Sequence, residues 1–162
     1  MKKITTNLWF DGKAEEAVNF YASIFKDSKT GNILRYGKEG FEFHRMPEGT
    51  VMTIDFEILG QHFVALNGGP KFKFNESISF IISCENQAEV DYYWERLGKR
   101  GDENAKICGW LKDKYGVSWQ IVPSVLYELL KDKQKSASVM NALLKMKKLN
   151  IQELQSAYDG NN

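Results

Sequence analysis

Apolar and polar residues alternate with a period of two in several short runs of this chain, and recur at helical spacing in the runs between them. The clearest alternation is Val117-Ser-Trp-Gln-Ile-Val122. Trp119 and Ile121 fall on one face of a strand; Ser118 and Gln120 fall on the other. Trp110-Leu-Lys112 leads into this strand through a polar turn, Asp113 to Gly116, where glycine suits a left-handed backbone. The stretch predicts a β-hairpin ended by Pro123. A strand that is apolar behind and carries an amide in front can line a cavity while its back packs on a helix. The same alternation predicts strands over 3–10, 32–36, 50–59, 62–67 and 77–84, with Gly60-Gln61 as a short hairpin turn.

Ala14, Ala17, Val18, Tyr21, Ile24 and Phe25 mark an amphipathic helix, with Asp11 as its N-cap and Glu15 and Glu16 suited to its first turn. Val90, Tyr93, Trp94 and Leu97 mark a second, opened by an Asn86–Glu89 capping box and stopped at Gly98. Pro123 fits the first position of a helical tail. Apolar stripes at Leu126 and Leu129, at Val139 and Leu143, and at Leu154 and Ala157 predict its helices, with Asn150 and Gly160 as start and stop. Those faces must cover either this chain's sheet or a second subunit. The segment 37–49 holds three glycines and Pro47 and reads as a mobile loop; residues 71–75 read as a linker.

The two halves repeat. An offset of 72 residues carries Asn7 onto Ser79, and Val18-Asn-Phe-Tyr21 onto Val90-Asp-Tyr-Tyr93. The expected fold is α+β: two βαβββ modules forming a curved mixed sheet, plus C-terminal helices. Module one spans 1–70, module two 76–123 and the tail 124–160, within a single domain 1–162.

Composition narrows the function classes. The chain has 162 residues, 43% apolar and 13% aromatic, which suits a packed core. A net charge of +1 gives no electrostatic argument for a nucleic-acid or membrane partner, and none is expected. No apolar run approaches bilayer length and no secretory segment opens the sequence, so the expectation is a cytoplasmic protein with Cys84 and Cys108 reduced. His44 and His62 are the only imidazoles. His44-Arg45 reads as a surface pair, His62 as a solvated strand start, and Asp55 and Glu57 as carboxylates facing water. No cation beside Cys108 marks it as a reactive thiol.

Several runs resemble one family: Asn7-Leu-Trp-Phe-Asp-Gly12, Ala14-Glu-Glu-Ala-Val-Asn-Phe-Tyr21, Phe63-Val-Ala-Leu-Asn-Gly-Gly-Pro70, and Cys108 through Pro123. With the repeated βαβββ units they are similar to the vicinal-oxygen-chelate superfamily, which includes glyoxalase I and bleomycin-resistance proteins. Within it they resemble the PhnB-like group, labelled as a 3-demethylubiquinone-9 3-methyltransferase domain. In the superfamily's metal-dependent members, four inward strand positions carry His, Glu or Gln around a divalent ion. The matching positions are Asn7, Asn67, Ser79 and Gln120, a register slip of one replacing Asn67 by Leu66. Amides and a hydroxyl are poor anchors for zinc, and magnesium or calcium wants a carboxylate. The resemblance therefore implies no metal and no cofactor. It implies a metal-free pocket for a small organic ligand, lined by those four residues with Trp9 and Trp110 as apolar wall, in a homodimer. The alternative is an enzyme, methyltransferase-, isomerase- or lyase-like, acting on an aromatic or quinone-type substrate. Against it stand the lack of a base or nucleophile at the matched positions and of a Gly-rich strand-to-helix loop. A third reading is a scaffold that uses the tail helices.

Overall fold

The structure, a computed structural model, describes residues 4–160. The chain divides into two compact units, Met1–Phe74 and Asn75–Asn162. The first runs β1 (Thr6–Phe10), α1 (Ala14–Ile24), β2 (Lys29–Arg35), α2 (Phe41–His44), β3 (Val51–Ile58) and β4 (Gln61–Asn67). Residue 3, the expected start of the first strand, lies outside the described residues. The sheet order is β1-β4-β3-β2, with β1 parallel to β4 and the other pairs antiparallel. Leu8, Phe10, Phe63, Ala65, Ile54 and Phe56 fill the face under α1, together with Ala14, Ala17, Val18, Tyr21 and Ile24 of the helix. This is the core that the helical and alternating periods predicted.

The start of α1 differs from expectation. Asp11 does not cap it; the position before the helix is Lys13, and no local side chain bonds there. Instead the Ala14 N–H donates to Asn67 Oδ1, 2.9 Å away at the end of β4. The segment 71–75 is also more than a spacer. Phe72 sets its ring edge-on to Trp9, with 4.9 Å between centroids, and Phe74 does the same to Phe10 at 5.3 Å.

The segment 37–49 is built rather than loose. Tyr36 N–H donates to Thr50 O and Gly49 N–H to Tyr36 O, both at 2.8 Å, closing the segment at its base. The His44 ring lies tilted against Tyr36, 4.5 Å between centroids; its Nδ1 accepts from Met46 N–H and its Nε2 meets Glu39 O. Phe41 and Phe43 remain exposed on α2.

The second unit runs β5 (Phe80–Cys84), α3 (Gln87–Gly98), β6 (Asp102–Ile107), β7 (Trp110–Lys112), β8 (Ser118–Pro123), α4 (Val125–Lys131), α5 (Ser136–Leu143) and α6 (Ile151–Asp159). Its sheet order, β5-β8-β7-β6, is the same pattern as the first, so the βαβββ unit occurs twice. Asn86 Oδ1 accepts from Glu89 N–H at 3.0 Å, as the capping box requires. Pro123 closes β8 rather than opening a helix, and the strand β6 was not foreseen. The hairpin turn is held by Asp113, which is buried. Its Oδ1 accepts from the N–H groups of Tyr115 and Val117, and its Oδ2 accepts from Trp119 Nε1 at 3.0 Å. Gly116, with φ of 87°, supplies the left-handed step.

The tail packs on this chain. Leu126, Leu129, Val139, Leu149 and Leu154 form a core with Val122 of β8. Polar clips add to it. Gln87 donates from Nε2 to Leu149 O and accepts from Ile151 N–H at its Oε1; Lys148 pairs with Asp91; Tyr158 donates to Asp132. The bond from Lys148, then that from Gln87, holds the Asp91 carboxyl below its ordinary 3.8. The Gln134 N–H, then the Tyr158 hydroxyl, does the same for Asp132. A depressed carboxyl stabilises the fold above its ordinary value, and that contribution is lost as pH falls through the lower native value. Acidification below about pH 4 is therefore expected to loosen the tail before the sheets. Hydrogen exchange should show α5 and α6 losing protection first, and Asp91→Asn should weaken that acid response.

Candidate functional site

Each sheet has one face covered by its helix and one face turned away from it. On the first sheet, Cα register sets Asn7, Val64 and Asp55 in one row, and Trp9, Leu66 and Thr53 in the next. These residues alternate with the buried core positions, so they occupy the open face. Asn7 is exposed and Trp9 half-buried. The indole of Trp9 is pinned: Nε1 donates to Gly69 O at 2.8 Å, and the ring lies so close over Gly68 that a Cβ there would overlap it. Gly68-Gly69 thus fits an aromatic side chain, not the phosphates of a nucleotide.

Asn67 does not join this face. It registers with Phe10, faces the helix, and is 3% exposed. Its Oδ1 accepts from Ala14 N–H and its Nδ2 donates to Val51 O at 3.0 Å. Leu66 takes the open-face place that the one-residue slip implied.

The second unit brings three of the expected residues together. Gln120 registers with Ile81 on one side and Trp110 on the other. Its Nε2 donates to Ser79 Oγ at 2.9 Å. One pleat along β8, Ser118 turns the same way beside Lys112, which is paired with Glu76. The Lys112 hydrogen bond holds the Glu76 carboxyl below its ordinary value. Ser118 Oγ is buried and has no hydrogen-bond partner among the described residues. Sequence reading passed over Ser118; its place beside Gln120 on the small, polar face was the available signal.

A metal does not fit the matched residues. Asn67 spends both ends of its amide on backbone, and Asn7, Ser79 and Gln120 offer amide and hydroxyl oxygens without a carboxylate or imidazole. Among the described residues, no three His, Cys, Asp or Glu side chains are grouped to hold one ion. Cys84 is a buried core thiol, pushed up to about 12 by burial and by the Glu89 and Glu85 carboxylates, which makes it a poor nucleophile.

Asp55 and Glu57 were expected to face water. They stand half-buried on the open face of the first sheet. Glu57 is paired with Lys29 at 3.7 Å and with His62 at 3.3 Å. Among the described residues, the Asp55 carboxylate meets only the Asn32 amide, at 3.4 Å.

Two βαβββ units of identical strand order define a fold of the glyoxalase/bleomycin-resistance type. The family model for 3-demethylubiquinone-9 3-methyltransferase matches residues 2–122, so the chain belongs to that family. A putative 3-demethylubiquinone-9 3-methyltransferase, PhnB protein, from Bacillus cereus is 38% identical. The match covers 76% of this chain and 100% of that one, with a TM-score of 0.63. A protein from Pseudomonas aeruginosa shares the fold at 17% identity, 76% and 98% coverage and a TM-score of 0.57. The fosfomycin resistance protein FosX from Mesorhizobium loti does so at 16% identity, 80% and 97% coverage and a TM-score of 0.54. No curated protein matches. No helix among the described residues is long and apolar enough to cross a membrane.

Proposed function

We propose that this protein binds a small organic molecule without a metal ion, against the open faces of its sheets. Asn7 and Trp9 act on the first; Ser79, Trp110 and Gln120 act on the second. One observation carries the reading: Gln120 and Ser79 share a hydrogen bond at 2.9 Å, opposite the half-buried Trp110, with the partnerless hydroxyl of Ser118 one pleat away. A neutral polar pair beside an aromatic side chain selects an uncharged hydrogen-bonding group on a flat apolar body. Asn67 is not part of the set, because its amide caps α1. The protein acts as a homodimer, a reading supported by β2, an edge strand exposed along its whole length with Ile33 and Leu34 outward. Two free thiols support a reducing compartment such as the cytoplasm. Catalysis on an aromatic or quinone-type substrate has no observation in its favour.

The test joins metal analysis to fragment binding. Protein purified without chelator is expected to carry far less than one zinc, nickel or iron per chain. Phenolic and quinone-like fragments should shift the backbone amides around Gln120, and Gln120→Leu should weaken them by about tenfold, the value of one good hydrogen bond. A stoichiometric ion, or fragments that ignore Gln120→Leu, would overturn the reading. Sedimentation at micromolar concentration should give twice the chain mass.

A further inference from the structure

The first sheet carries a cavity of a different character. It measures about 680 Å3 and opens between the start of β1 and the β3–β4 turn, with Ile4, Thr5, Asp55, Gln61, His62 and Val64 in its wall. The carboxylates on this side of the sheet are not alike. Glu57 has its cation in Lys29 and a further partner in His62. Asp55 has no cation among the described residues; its one contact is a long bond from Asn32. It is nonetheless drawn half out of water. A carboxylate that is partly desolvated and unpaired is a destabilising feature unless something else meets it.

The other groups in the wall define what that is. Thr5 offers a hydroxyl, an acceptor for an N–H donor. Ile4 is exposed and apolar, and Val64 gives an apolar floor. A bare metal ion would need several ligands converging on one point, and no three His, Cys, Asp or Glu side chains among the described residues are so grouped. The volume suits an organic molecule. A primary ammonium brings the positive charge that Asp55 lacks and has further N–H donors for a neutral acceptor such as a hydroxyl. We propose that this cavity binds the ammonium group of a small organic amine, with Asp55 as its anionic partner and Ile4 and Val64 against its hydrocarbon part.

Asp55 is none of the residues given to the neutral ligand, although Asn7 shares its row, so Asp55→Asn and Gln120→Leu test the two assignments apart. The experiment titrates the full-length protein with 2-phenylethylamine and, as a neutral control of similar shape, with 2-phenylethanol. Backbone amide shifts are the readout. The amine is expected to shift Thr5, Asp55 and Gln61 and to bind about tenfold tighter than the alcohol, as a charge-assisted bond allows. Asp55→Asn should erase that preference while leaving the alcohol and the melting temperature unchanged or slightly improved. Gln120→Leu should leave amine binding within about twofold. Equal binding of amine and alcohol, a preference that survives Asp55→Asn, or no shift at these amides up to about 10 mM amine would overturn the proposal.

Discussion

Replacing Asp113 with alanine is expected to cost about 3–5 kcal/mol and to unfold the second unit at temperatures where the parent is folded. The carboxylate is 2% exposed and takes three donors: the N–H groups of Tyr115 and Val117 and the indole N–H of Trp119. Alanine would leave all three without an acceptor. The backbone pair would lose the geometry of the β7–β8 turn, and the indole would lose what fixes its ring in the core beside Phe80, 5.3 Å away. Asparagine keeps one acceptor oxygen but presents an NH2 group to donors, so it should recover only part of the loss. Urea unfolding followed by tryptophan fluorescence measures both. A cost below about 1 kcal/mol for alanine would mean that water replaces the carboxylate, and that the turn is held by its backbone alone.

The second large effect is expected at Gly68. Any side chain there must displace the Trp9 ring, which cannot simply swing away. Its Nε1 is bonded to Gly69 O and its ring packs at a steep angle against Phe72. Gly68→Ala should therefore destabilise the first unit by about 2–3 kcal/mol, in the range of overpacked cores. It should also change Trp9 emission and weaken any ligand that lies against the indole. Pairing it with Trp9→Phe, which removes the fused ring, should recover part of the stability. Full additivity of the two changes would refute the contact.

Much of the fold was legible because periodicity reports which face is buried. The stripe from Ala14 to Phe25 became α1, and the alternation around Trp119 became β8 with its apolar face inward. The strand β6 was not legible. Asp102-Glu-Asn-Ala-Lys-Ile107 alternates nothing, because an exposed edge strand with interrupted pairing has little to bury. Asn67 was misread for a different reason. Facing is set by register, and one residue of slip reverses it; its real role rests on Ala14, 53 residues away, with no local signature. Asp113 did have a local signature, an Asp two residues before a turn N–H, but its burial depended on Trp119 closing over it. Within the candidate site, Ser79 and Gln120 came from the positions that the family resemblance implies; alternation gave only the faces they share. The cavity beside Asp55 came from neither, since it depends on which carboxylate finds a cation and only the folded sheet decides that.

The carboxamide at position 67 narrows what this scaffold can become. It gives an oxygen to the first turn of α1, a hydrogen to Val51, and through its own backbone oxygen takes the Tyr36 hydroxyl at 2.7 Å. An aspartate would set a negative oxygen against the Val51 carbonyl, and a histidine would not fit the same two partners. Engineers who want an ion in this protein would have to recruit it from neighbouring strands, because the end of β4 is already occupied with starting a helix.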